Sequence, residues 1–181
     1  NSNQLGNSSG GLVTYSAANS GALNGISNSA GTSTAALTIQ SNDIRGITHS
    51  VAGSNAHTYI INSAATLSQN ISSNTFTNLN VNTTGSVTFI SNSVSLTATG
   101  TKTINSNSIV TAYNKAGAGG TVTIYTDNAS SVAGSTVANN SNNFSSITLT
   151  GATTMSGWSN TDGGSPAKTV QNNTFTNWTC G

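Results

Sequence analysis

The stretch "ISSNTFTNL" at residues 71–79 returns as "VQNNTFTNW" at 170–178, so the phrase Asn-Thr-Phe-Thr-Asn occurs at 74–78 and again at 173–177. Aligning the copies exposes a looser pattern: apolar, any, any, Asn, any, apolar. It recurs as "IQSNDI" (39–44), "ISSNTF" (71–76), "FISNSV" (89–94), "INSNSI" (104–109) and "VQNNTF" (170–175). Chance would supply about one such match, and self-similarity of this kind marks repeat architectures. Degenerate copies stand at "YIINSA" (59–64), "IYTDNA" (124–129), with Asp127 in the Asn place, and "NNSNNF" (139–144).

The pattern reads as a coiled stack of short strands. Each strand ends at an Asn corner, at Asn42, Asn74, Asn92, Asn107 and Asn173, and the next begins with an inward apolar residue. Asn tolerates the left-handed conformation, and stacked Asn side chains can hydrogen-bond in a ladder. Phe76 and Phe175 are then core residues, flanked by Thr on the other face of the pleat. The runs between corners, such as "HTYIIN", "GSVTFIS" and "GTVTIYT", are short, rich in Val, Ile and Thr, and bounded by Gly, Asn and Ser clusters. No helical periodicity is sustained. The expected fold is all-β, a single-stranded parallel β-helix of about six to eight short coils. A β-sandwich is the alternative.

Composition narrows the function. Asn, Ser and Thr supply 87 of 181 residues, while four Lys+Arg and three Asp leave 4% of the chain charged and a net charge of +1. An ordinary soluble domain is about 25% charged. No basic stripe exists to neutralise phosphates, which argues against nucleic acid. No run of 18 apolar residues is present, so no membrane-spanning helix is expected. Residues 1–181 read as one β-helix domain with a loop insertion around 151–167. The ends fall within the repeat, at "NSNQL" and "NNTFTNWTCG", which implies a segment of a longer chain or a filament subunit. Cys180 reads as a free thiol, a bond to another subunit, or a bond to a Cys elsewhere.

The I-x-x-N-x-F phrase resembles the repeat of right-handed parallel β-helix proteins of the pectate-lyase-like superfold, nearest in character to bacterial surface adhesin and fibre segments. That resemblance implies an extracellular or cell-surface location. The superfold also includes polysaccharide lyases and hydrolases, and "NTDG" (160–163) is similar to the catalytic Asp phrase of polygalacturonases. Glycoside hydrolysis needs two carboxylates flanking the bond, and no second acid follows Asp162. Asp162 therefore reads first as a turn residue, with Trp158 beside it as a sugar-contact candidate on the insertion. Asp43 and Asp127 are read as sharing the corner column, too many coils apart to hold one calcium ion. Asp43 with Arg45 makes a surface pair worth well under about 1 kcal/mol. His49 and His57 read as loop residues, and "KAGAGGT" (115–121) as a flexible corner loop. The T-x-T pairs sit at different offsets from the corners, which argues against a flat ice-binding face. Catalytic residues, cofactors and metals are therefore not expected. The expected role is a structural segment of an adhesin, fibre or filament, partnered by its own copies end to end or by glycans. A polysaccharide-binding or polysaccharide-degrading β-helix is the second reading and an ice-binding solenoid the third.

Overall fold

Strands of two to seven residues follow one another through the chain, and every pairing between them is parallel. The structure, a computed structural model, describes residues 2–7 and 10–181. Its first turn runs through β1 (Gln4–Leu5), β2 (Val13–Tyr15), β3 (Leu23–Asn28) and β4 (Ala36–Gln40). The second contains β5 (Asp43–His49), β6 (His57–Asn62) and β7 (Ser68–Ser72), and the third β8 (Thr75–Val81), β9 (Val87–Ser91) and β10 (Thr101–Asn105). The fourth contains β11 (Ser108–Ile109), β12 (Tyr113–Lys115), β13 (Thr121–Asp127) and β14 (Thr136–Asn140). The fifth contains β15 (Ile147–Leu149), β16 (Thr154–Asn160) and β17 (Ala167–Gln171), and β18 (Trp178–Cys180) lies above it. Three sheets result. Sheet A joins β1, β2, β5, β8, β11, β12, β15 and β18; sheet B runs β3-β6-β9-β13-β16; sheet C runs β4-β7-β10-β14-β17. No helix occurs among the described residues. The chain is a parallel β-solenoid of about five turns, not a sandwich.

The turn count falls below six to eight because each turn carries two Asn corners rather than one. Asn42, Asn74, Asn107 and Asn173 stand at the corner from sheet C to sheet A, with Asn3 and Asn142 completing the ladder. Of the corner read at "NSNQL", Asn1 lies outside the described residues. Asn92 belongs to a second column at the end of sheet B, in line with Asn28, Asn62, Asp127 and Asn160. Asp43 opens a strand of sheet A and Asp127 closes one of sheet B, so the two do not share a column. The two NTFTN phrases are three ladder steps apart, of 33, 35 and 31 residues.

Within the first ladder each Oδ1 accepts two hydrogen bonds, from the backbone N–H and the side-chain N–H of the Asn one turn earlier, all at 2.9–3.1 Å. The remaining Nδ2 hydrogen goes to a carbonyl of the turn below, that of Ile39 for Asn74 and of Ile71 for Asn107. The left-handed residue is not the ladder Asn. It is the residue before it: Ser41, Ser73, Ser106, Ser141 and Asn172, with φ of 56–57°. An Asn whose side chain is committed inward needs extended backbone, so its predecessor turns the corner, at a strain of about 1–2 kcal/mol for a non-glycine residue.

Register then stacks like upon like. One interior column on sheet A holds Leu5, Ile44, Phe76, Ile109, Phe144 and Phe175, and a second holds Val13, Ile47, Leu79, Tyr113, Ile147 and Trp178. Phe76 is buried; Phe175 shares its column yet stays 37% exposed, because no described coil covers it. Strands of sheet B bend midway so that consecutive residues turn inward, at Tyr59–Ile60, Phe89–Ile90 and Ile124–Tyr125. Residues 151–167, read as an insertion, contain strand β16 in full register with β13. The step of the first ladder across that region, 31 residues, is the shortest in that ladder, and its 39-residue step from Asn3 to Asn42 holds the true excess.

Replacing Asn107 with Ala strands the Asn74 amide and the Ile71 carbonyl in the interior, a loss of about 3 kcal/mol given the cost of buried unsatisfied groups. Asn173→Ala, at the half-buried end of the ladder, removes about 1 kcal/mol. Urea unfolding of the two variants checks this ranking, and equal midpoints would refute a ladder-dependent core.

Candidate functional site

Seven charged side chains serve the whole chain, and their placement is the main chemical feature of the structure. Asp43 and Arg45 pair on the outer face of β5, with Nη2 2.7 Å from Oδ2. The hydroxyls of Thr75 and Thr77, one turn above, donate to the other Asp43 oxygen at 3.0 and 2.9 Å. Lys115 is buried, and its Nζ donates to the carbonyls of Thr83 (2.7 Å), Gly119 (2.8 Å) and Gly117. All three ammonium hydrogens are thereby used. Burial still pushes the Lys115 amine below its usual value. The "KAGAGGT" loop is thus clamped at its base by its own lysine rather than left loose.

Inside the corner between sheets B and C lies a buried ionic cluster. Lys102 points inward from β10, in the column filled by Leu37, Gln69 and Val137 in other turns. Its Nζ is 2.8 Å from Asp127 Oδ2 and 3.7 Å from Asp162 Oδ2, and all three side chains have no solvent-exposed surface. Tyr125 donates its hydroxyl to Asp127 Oδ2 at 3.1 Å. Asp162 accepts the Ser131 amide at 2.6 Å and the Ser131 hydroxyl at 2.5 Å. Burial pushes the Asp162 carboxyl up. The Ser131 hydroxyl and amide, the Lys102 ammonium and the Gly164 amide together outweigh that and hold it below its ordinary value. Lys168 donates from the rim to the Asp162 carbonyl.

A second cluster occupies the corner between sheets A and B near the first turns. His49 and His57 stack with ring centroids 5.3 Å apart, and Tyr15 lies 4.4 Å from His49. Asn55 Nδ2 and His57 Nε2 are hydrogen-bonded at 2.7 Å. These histidines face the interior, not the loop surface expected for them. Burial, then the neighbouring His49, then Lys115 push His57 down to about 4. Burial lowers His49 as well.

Trp158 and Asp162, the candidate sugar contacts, are turned inward. Trp158 sits in β16, 4.6 Å from Tyr125 and 6.0 Å from Phe144 between ring centroids, and Asp162 is 1% exposed. Trp178 fills the Leu79 column and donates Nε1–H to the Phe144 carbonyl at 2.7 Å. Cys180 is free and exposed, and it continues the column of Lys115 and Leu149. The T-x-T pairs divide among all three sheets, for example 75–77 on A, 121–123 on B and 101–103 on C. Sequence reasoning missed the Lys102–Asp127 pair and Lys115. The alternation of "TKTIN", which places Lys102 on the inward face, was the available signal. A shallow hollow of about 300 Å³ between residues 18–20 and 52–54 holds no titratable side chain. Among the described residues no group of three His, Cys, Asp or Glu could hold a metal ion. Comparison of the chain with known protein families, curated proteins and solved structures returns no match.

His57 carries a consequence for stability. Folded, it binds its proton less tightly than in the unfolded chain, so between pH 6.5 and about 4 the unfolded chain holds more protons. Stability is therefore full above pH 6.5 and falls as the pH drops through that window, by up to about 3 kcal/mol. The lowered Asp162 carboxyl acts in the same direction but only below its ordinary value of 3.8. Urea midpoints measured from pH 7 to pH 4 should show this decline, and His57→Gln should flatten it; an unchanged slope in the variant would assign the effect elsewhere.

Proposed function

We propose that this chain is a non-enzymatic structural segment of a secreted or cell-surface β-solenoid, part of an adhesin, extracellular fibre or filament. The observation that carries this reading is the use of the charges. Asp127, Asp162, Lys102 and Lys115 are all interior struts, and Asp43 is tied to Arg45 on its own strand. The acids that a polysaccharide-cleaving solenoid would present to solvent are spent inside. Outward columns are uncharged hydroxyls and amides, such as Thr14, Thr48, Asn80, Asn114, Thr148 and Thr179 on sheet A. Such a surface stays hydrated with few charges.

Partnering by end-to-end stacking is part of the same reading. Among the described residues no strand pairs beyond β16, β17 and β18, and Phe175 and Trp178 at that edge are half-exposed; open strand edges template further pairing. The polysaccharide reading loses support because Trp158 and Asp162 face inward, and the ice-binding reading because the threonine pairs divide among the sheets.

Sedimentation and electron microscopy over a range of concentrations test the proposal. The expected result is rods that lengthen with concentration in steps of about 24 Å, five turns at about 4.8 Å. A stable monomer at high concentration would remove the stacking. Cleavage of a polysaccharide, abolished by Asp162→Asn, would overturn the non-enzymatic role.

A further inference from the structure

The second Asn column is interrupted where it meets Lys102. Asn28 donates to Asn62 at 2.8 Å and Asn62 to Asn92 at 2.9 Å. At residue 127 the ladder changes to Asp, and Asn92 Nδ2, which would donate onward, has no hydrogen-bond partner. Asp127 is turned to Lys102 instead. An Asn would have continued the ladder, and an apolar residue at 102 would have matched Leu37 and Val137. Buried ion pairs of this kind seldom gain more than their desolvation costs, and well-packed apolar replacements are often as stable. The pair with its third carboxylate therefore calls for a reason other than stability through charge.

We propose that Lys102 and Asp127 condense to an intramolecular isopeptide bond, with Asp162 as the proton-transferring group. Nζ lies 2.8 Å from one oxygen of the Asp127 carboxyl, one bond from the carbon it attacks, and holding two reactants together in this way removes the entropy cost of bringing them into contact. The Lys102 ammonium first passes a proton across that hydrogen bond to Asp127, leaving a neutral amine and a neutral acid. The Nζ lone pair then bonds to Cγ. Asp162, 3.7 Å from Nζ, takes the second nitrogen proton and returns it to the departing hydroxyl, which leaves as water. The sum is an ammonium and a carboxylate giving an amide and one water, with Asp162 regenerated and no redox partner involved.

Each neighbour has a part in that step. The Ala129 N–H donates to Asp127 Oδ1, the oxygen that carries charge in the tetrahedral intermediate, while the Tyr125 hydroxyl holds Oδ2, the oxygen that leaves as water. Ser131 fixes the Asp162 carboxylate through two hydrogen bonds, and the net lowering of its pKa keeps it an anion able to accept a proton. Condensation removes two buried charges at once, and the closed interior leaves no bulk water to drive the reverse reaction. The bond would span 25 residues and run from β10 through sheet A to the end of β13, closing a covalent hoop around most of one turn.

Intact mass spectrometry of the natively purified chain tests this directly. The expected mass is one water below that of the sequence, and the tryptic map should show no cleavage after Lys102, with that residue joined to Asp127. Asp162→Asn keeps the shape and the Lys102–Asp127 contact but cannot relay the proton, so this variant should fold, as judged by circular dichroism, and show the full sequence mass. Lys102→Met should show the full mass as well. A full sequence mass in the folded wild type, or a water loss mapped to any other residues, would overturn the proposal. Persistence of the cross-link in Asp162→Asn would remove Asp162 from the reaction.

Discussion

One hydrogen-bond arrangement governs the molecule: an asparagine Oδ1 that accepts both the main-chain and the side-chain N–H of the asparagine one turn below. It fixes the height of each turn and also its register, because two donors on one acceptor tolerate no slip along the strand. A slip of one residue would put every inward side chain outside. With register fixed, Phe76 is aligned with Ile44 and Ile109, and Leu79 with Ile47 and Tyr113. Burial of such side chains is worth about 1.5–3 kcal/mol each, against about 1 kcal/mol net for a hydrogen bond. The columns therefore supply most of the stability, and the ladder decides where they stand. The left-handed serines before each ladder Asn are a strain accepted for that alignment.

Scarcity of charge follows from the same geometry. A parallel stack places each side chain about 4.8 Å from its equivalents above and below, so a charged column would repel itself through every turn. Uncharged amides and hydroxyls stack without that repulsion, and Thr14 and Thr48 share a hydrogen bond at 3.2 Å. The few charges that remain never stand on adjacent turns of one column and find partners outside it, as Lys102 does in Asp127 and Lys115 in three carbonyls.

Much of this was legible in the sequence. Asn before an apolar residue identified the corners, and "NTFTN" identified the strand leaving them. The pattern merged two corners because both use an inward Asn after a strand, and only the pairing separates Asn92 from Asn74 and Asn107. Asn142 showed only as the degenerate copy "NNSNNF", because that copy begins with Asn139 where the pattern asks for an apolar residue, yet Asn139 is buried like the apolar residues it replaces. Trp158 looked exposed because it lies among Gly, Ser and Thr. Its column, shared with Ile60, Ile90 and Tyr125, is set by contacts some 30 residues away in sequence and carries no local sign. The buried Lys102 escaped notice for a related reason, since the acids that neutralise it come from the next two turns.

The ladder also has a direction, and this bears on how copies of the chain could associate. Every ladder Asn donates toward the C-terminal end of the solenoid and accepts from the N-terminal end. A copy laid on the edge formed by β16, β17 and β18 can therefore continue the ladder only head to tail, with its Asn3 Oδ1 over the donors of Asn173. Head-to-head contact would oppose donors to donors and would also place antiparallel strands against a parallel sheet. Head-to-tail contacts are heterologous, and when they do not close into a ring they generate filaments. In that register Cys180, which continues the Lys115 and Leu149 column, would lie beneath the Tyr15 and His49 column of the next copy. Its thiol would then be a buried core group, so a stacked junction would be held by packing and the ladder rather than by a disulfide.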